Sequence, residues 1–234
     1  GGEIRTYGHI VVDEVQDLTP MQLKMATRWS LNGSMTVVGD LAQATGPLAP
    51  ASWDDVLAHL PARKPARVVG LSVGYRIPAQ IMQLADRVMA AAAPELRSPR
   101  AVRVGDGAPS IVAVEDAGDL CNAVAEETAK LVSELSAGSV AVIVPDELTD
   151  AISDALDAAG LAYGRATRNG LDDDVTVVPI SVMKGLELDG VVVVEPARIV
   201  ATENAGLKAL YVALTRPTQR LTVVHAEELP PSMR

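Results

Sequence analysis

Val175-Thr-Val-Val-Pro-Ile-Ser-Val-Met-Lys-Gly-Leu-Glu-Leu-Asp-Gly-Val-Val-Val-Val-Glu195 holds two apolar runs, Val175–Ile180 and Gly190–Val194. The loop between them carries Lys184, Gly185, Glu187 and Asp189. Neither run alternates polar with apolar residues, which is the habit of strands covered on both faces in parallel sheets. The same kind of run recurs at His9–Val12, Met35–Val38, Arg67–Leu71, Ser110–Val114, Ser139–Val144 and Leu221–Val224. Between these runs the period becomes helical. Ile81, Leu84, Ala85, Val88 and Met89 fall on one face, as do Leu148, Ile152, Ala155, Leu156 and Ala159. Strands alternating with helices predict an α/β fold, a mostly parallel sheet with flanking helices.

Local signals sharpen the reading. Thr19-Pro20-Met21-Gln22 offers a capping hydroxyl, a proline at the first helical position and a glutamine three residues past the cap. Ser52-Trp53-Asp54-Asp55 repeats that logic ahead of Val56, Leu57 and Leu60. Leu60–Pro65, with two prolines around a basic pair, reads as a linker, and Pro94–Pro109 as a surface excursion. The chain therefore divides into residues 1–62 and 63–234. Two strands and two helices bury too little surface to stand alone, so the first part is expected to dock elsewhere or to continue upstream.

Composition removes several classes of function. The chain has 234 residues, a net charge of −10, 48% hydrophobic residues and a single cysteine, Cys121. A disulfide scaffold is excluded, and His9, His59 and His225 lack neighbours at zinc-ligand spacing. No apolar run reaches the roughly 18 residues of a membrane span and no leader pattern opens the chain, so the cytoplasm is the expected compartment. The acidic balance argues against a surface that grips nucleic acid over its whole extent; any such contact is local.

The chemistry concentrates at a few loops. Ile10-Val11-Val12-Asp13-Glu14 is an apolar strand ending in two carboxylates, at the strand end where parallel sheets bind ligands. Phosphoryl transfer needs one carboxylate to hold Mg²⁺ and a second group to orient or deprotonate the attacking water. Strand alternation points the two side chains apart, which suits two roles.

Asp13-Glu14-Val15-Gln16-Asp17 resembles the Walker B motif of the UvrD/Rep branch of superfamily 1 helicases, usually D-E-A-Q-D. Gly39-Asp40-Leu41-Ala42-Gln43 is similar to motif III of that family, and Leu71-Ser72-Val73-Gly74-Tyr75-Arg76 to motif IV, with Gly74 where asparagine is usual. Met183-Lys184-Gly185-Leu186-Glu187-Leu188-Asp189 resembles motif V, and Tyr211-Val212-Ala213-Leu214-Thr215-Arg216 motif VI. Five motifs in family order extend the resemblance over nearly the whole chain. It implies a partial first RecA-like (P-loop NTPase-type) motor domain in 1–62, a second complete one in 63–234, and ATP with Mg²⁺ between them. Asp13 would hold the metal and Glu14 would activate water. Gln43, Arg76 and Arg216 would sense or stabilise the γ-phosphate. Tyr75 and Glu187 would contact adenosine, within a nucleotide-binding set completed by Lys184 and Gly185.

Departures refine the expectation. No G-x-x-x-x-G-K-[ST] occurs, so the phosphate-cradling loop is expected upstream, and the isolated fragment is expected to be inactive. Pro179 and Ser181 stand where the helicase pattern has T-x-H, a feature resembling the HelD subgroup of RNA-polymerase-associated members. The stretch between motifs IV and V leaves no room for the large insertion of UvrD-type helicases. After Gln43 the family's aromatic-plus-arginine segment is missing, and Trp53 is the only nearby ring, either a core anchor or a base-stacking platform. Arg97, Arg100 and Arg103 form either a basic patch or a solvated loop. The resemblance implies a motor ATPase whose partner is RNA polymerase or, through local contacts, DNA. A non-catalytic interaction module is the other class left open.

Overall fold

The computed structural model describes residues 5–61, 65–105, 107–135, 138–166, 174–202 and 205–234. Contacts divide the chain into two compact units, Gly1–Gly70 and Leu71–Arg234. The expected boundary at 62/63 and the centre of the Leu60–Pro65 linker lie outside the described residues.

In the first unit, β1 (Ile10–Val12) and β2 (Met35–Val37) pair in parallel, Ile10 opposite Met35 and Val12 opposite Val37. Between them, α1 (Pro20–Arg28) starts at the capping box that the sequence announces. The Thr19 hydroxyl accepts from the Gln22 amide at 3.3 Å, while Gln22 Oε1 accepts from the Thr19 amide at 2.8 Å. A second capping box, Ser52 with Asp55, opens α2 (Trp53–Leu57). Val15, Leu23 and Val56 form the core, with Val12, Leu18, Val37, Trp53 and Leu60 packed around them. Trp53 is thus a core anchor, the first of its two expected roles.

The second unit begins with a small parallel pair, β3 (Val73–Gly74) and β4 (Arg100–Ala101), on either side of α3 (Ala79–Ala92). Then follow β5 (Ser110–Ala113), α4 (Leu120–Leu135), β6 (Val140–Val144), α5 (Thr149–Ala158), β7 (Gly164–Arg165) and β8 (Val175–Pro179). The unit closes with β9 (Leu188–Val194), α6 (Pro196–Thr202), α7 (Gly206–Leu214) and β10 (Pro217–His225). Six strands form one sheet in the order β5-β10-β9-β6-β8-β7, every neighbouring pair parallel. Val140, Val142 and Val144 of β6 and Val192 and Val194 of β9 are buried against Leu120, Val124 and Leu131 of α4 and Ile152 and Leu156 of α5. The unbroken valine runs are what such double cover requires.

One expected strand is absent. Arg67–Leu71 has no regular structure, and Val68, Val69 and Leu71 are exposed. Pairing starts only at Val73, opposite Arg100. A β-branched run becomes a strand where a neighbour takes its backbone hydrogen bonds, and here the neighbour first does so at Ser72, whose carbonyl accepts from the Arg100 amide at 2.8 Å. Among the described residues no helix is long and apolar enough to cross a membrane.

Gly206 opens α7 where it meets α6, and a Cβ there would lie 2.1 Å from the Val200 carbonyl oxygen. Backbone cannot retreat as a flexible side chain can. Gly206→Ala should therefore cost about 3 kcal/mol, the upper part of the overpacking range, read as a lower urea midpoint at unchanged slope.

Candidate active site

The first unit places its acids and its glutamine on two adjacent loops. Beyond β1 the chain leaves the strand at Asp13, and Glu14 takes a left-handed conformation, φ 49°. Strand alternation does not govern the two carboxylates, since β1 already ends at Val12 and the chain turns at Glu14. Asp13 Oδ1 accepts from the Glu14 amide at 2.8 Å. A left-handed glutamate is strained by about 1–3 kcal/mol and persists only where its surroundings hold it.

The holding is visible. Val15 donates to the Val38 carbonyl at 3.0 Å and Val38 to the Val12 carbonyl at 2.8 Å, which ties the loop after β1 to the loop after β2. The Gln16 side-chain nitrogen donates to the Glu14 carboxylate, and its oxygen accepts from the Asp40 amide at 3.0 Å. Asp40 in turn accepts from the Ala42 amide at 2.9 Å and from the Gln43 side chain at 3.0 Å. Gly39 is required at this crossing, since a Cβ would stand 2.5 Å from Gln16 Oε1 and 2.7 Å from Val15 Cγ1. Asp13, Glu14 and Gln43 are thus brought to one corner of the first unit.

In the second unit Glu187 and Arg216 stand at the amino ends of two central strands, and Arg76 reaches the first of them from beyond β3. Leu188 opens β9 opposite Pro217, which opens β10, so Glu187 and Arg216 immediately precede neighbouring strands. Arg76 pairs with Glu187 through Nη1 and Oε1, both side chains half-exposed. Arg103 donates from Nη1 to the Arg76 carbonyl at 3.2 Å and to the Thr218 carbonyl at 2.8 Å. It is a clamp between the loop after β3 and the start of β10, not a member of a free basic patch with Arg97 and Arg100.

Arg216 follows α7, which ends at Leu214. It is 3% exposed. Its Nε donates to the Val212 carbonyl at 3.0 Å, its Nη1 to the Leu186 carbonyl at 3.2 Å. Tyr75 lies at the opposite extreme, 74% exposed just before Arg76. Lys184 is half-buried, and Gly185 takes φ +76° with open space around it, a conformation that favours glycine.

Two residues the sequence reading left without a role stand out. Gln16 links the two loops of the first unit. Asp189 accepts from Gln219 Nε2 at 2.7 Å, from the Ser139 amide at 3.0 Å and from the Thr218 hydroxyl at 3.3 Å. The Gln219 side chain and the Ser139 amide hold its carboxyl below the ordinary 3.8. Those donors come from segments far apart in sequence, so spacing alone carried no signal for them. A depressed folded-state pKa stabilises above the unfolded value and loses that stabilisation as pH falls below about 3.8. Asp189→Asn should thus melt lower than the native protein at pH 7, the gap narrowing at pH 3.5, as thermal melts at both pH values would show.

No family model matches the chain. Over 87 residues it is 39% identical to the ATP-dependent DNA helicase UvrD2 of Mycobacterium bovis and, to the same extent, of Mycobacterium tuberculosis. That stretch is 37% of this chain and 12% of the length of those relatives. The crystal structure of the C-terminal domain of a possible DNA helicase from Lactobacillus plantarum WCFS1 superposes with a TM-score of 0.55 and 26% identity, covering 69% of this chain and 92% of that one. The chain resembles UvrD-type helicases. Its six-stranded parallel sheet with flanking helices is the RecA-like α/β fold of a helicase C-terminal domain. The UvrD-like resemblance supports a helicase-type function in general terms.

The site residues fit a Mg²⁺-nucleotide. Among the described residues no three His, Cys, Asp or Glu side chains converge on a metal position. Mg²⁺ does not need such a cage, because it is held by one or two carboxylates together with phosphates and water. Asp13, exposed at the end of β1, supplies one carboxylate of this kind.

Proposed function

We propose that this chain is the C-terminal motor portion of a UvrD-like ATPase, a HelD-like protein that binds and remodels or recycles RNA polymerase in the cytoplasm. Its first motor domain, 1–62 in this chain, is completed by an upstream half that carries the phosphate-binding loop; 63–234 is the second. The observation that carries the ATPase reading is the hydrogen-bonded joining of Glu14, Gln16, Asp40 and Gln43 beside Asp13. Exposed Val11, Met21, Met25 and Trp29 on a unit with a two-stranded sheet support the upstream half as a partner.

In this reading residues of both motor domains act on ATP. Asp13 would hold Mg²⁺, which when bound neutralises developing phosphate charge. Glu14 accepts the proton of the attacking water and Gln43 orients that water. Tyr75 packs on the base and Glu187 bonds the ribose, with Lys184 and Gly185 shaping the loop around it. Arg76, released from Glu187, and Arg216, its guanidinium rotated off the Leu186 carbonyl, stabilise the γ-phosphate. The fragment alone, without the phosphate-binding loop, hydrolyses ATP negligibly.

The polymerase output is supported by the carboxyl end of β8. Where helicases place T-x-H, Pro179 ends the strand and the Ser181 amide donates to the Asp146 carboxylate at 3.2 Å. A carboxylate there repels a phosphate backbone. A second reading is an ATP-dependent 3′–5′ DNA helicase in repair, and the mycobacterial relatives, each named an ATP-dependent DNA helicase, support its helicase part. Co-purification of the full-length protein with RNA polymerase, set beside a strand-unwinding assay, separates the two. Polymerase binding without unwinding is expected, and robust unwinding without polymerase binding overturns it. A third reading, a non-catalytic interaction module, predicts no ATP turnover at all.

A further inference from the structure

We propose that Gln16 is a positioning residue that sets the Glu14 carboxylate against the Gly39–Gln43 loop, so that proton acceptor and water-orienting amide act as one unit. This rests on the reading of Glu14 as the group that receives the proton of the attacking water. Gln16 is 2% exposed, yet both ends of its amide are spent on the site. The nitrogen donates to Glu14 and the oxygen accepts from Asp40, whose carboxylate holds Gln43. Burying an amide is costly unless both ends are bonded, so the pair of bonds fixes one orientation.

The two loops do not depend on Gln16 for their attachment. The Val15–Val38 and Val38–Val12 backbone bonds already join them. What the side chain adds is direction. Glu14 sits in a left-handed conformation at the start of the 3-10 turn Val15–Asp17, and its side chain makes no capping hydrogen bond there. Without the Gln16 donor, rotation about the side-chain bonds of Glu14 carries the carboxylate off the line to a water held by Gln43. A misplacement of about 1 Å is enough to cost roughly 100-fold in rate.

The test is steady-state ATP turnover by the full-length protein. Gln16→Ala should lower kcat by about 10- to 100-fold with KM for ATP unchanged. Gln16→Glu keeps the acceptor for Asp40 and replaces the donor by a second carboxylate. It should lower kcat comparably with KM for ATP unchanged, because a second carboxylate cannot donate to the one it should aim. This near-isosteric variant keeps the question open to measurement if Gln16→Ala does not fold. A purely structural role would lower the melting temperature with kcat and KM intact, and that result overturns the proposal. Glu14→Gln is the control. If it abolishes turnover while both Gln16 variants are silent, Gln16 alone is refuted; if it leaves turnover intact, the reading of Glu14 falls and Gln16 with it.

Discussion

Arg216→Ala in the full-length protein should lower ATP turnover by about 10³- to 10⁵-fold, the range an arginine finger supplies. The residue stands just past α7 and immediately before β10, so its backbone is set by a helix end and a strand start together. Its guanidinium also bonds the carbonyls of Val212 and Leu186, and the alanine variant leaves those acceptors short of a donor. A melting temperature measured beside the rate separates the two consequences. Arg216→Lys keeps a cation but loses the planar fork, so it should recover little of the rate. Turnover within tenfold of native for Arg216→Ala would remove Arg216 from the active site.

Glu14→Gln should reduce turnover by about 10²- to 10⁴-fold, the usual contribution of a positioned general base, with nucleotide binding retained. The replacement is close to isosteric and occupies an exposed loop position, so the fold of the first unit should survive. Circular dichroism and a nucleotide-affinity measurement on the same preparation would establish that. A variant that binds and still hydrolyses ATP at the native rate would transfer the role of base to another group.

These expectations rest unequally on sequence and on structure. The strands Val140–Val144, Val175–Pro179 and Leu188–Val194 were legible as the apolar runs Ser139–Val144, Val175–Ile180 and Gly190–Val194, because strands buried on both faces have no polar alternation. The caps at Thr19 and Ser52 were legible because capping acts over three residues. Arg67–Leu71 misled because a β-branched run states what a strand would accept, not whether a partner strand is present. Trp53 was ambiguous from sequence because an indole serves a core and a stacked base through the same apolar surface, and only its packing with the Val15, Leu23 and Val56 cluster decided the matter.

The sequence by itself determined the α/β class, the helix starts and the identity of the charged residues at each loop, because all of these follow from short-range periodicity and side-chain chemistry. Tertiary structure alone decided that Gln16 bridges Glu14 to Asp40, that Asp189 draws donors from Ser139, Thr218 and Gln219, that Arg103 clamps Arg76 to Thr218, and that Arg216 is turned onto backbone carbonyls. Each of these is a hydrogen bond whose strength depends on a few tenths of an ångström between segments brought together by strand register, and such distances are not written in local spacing.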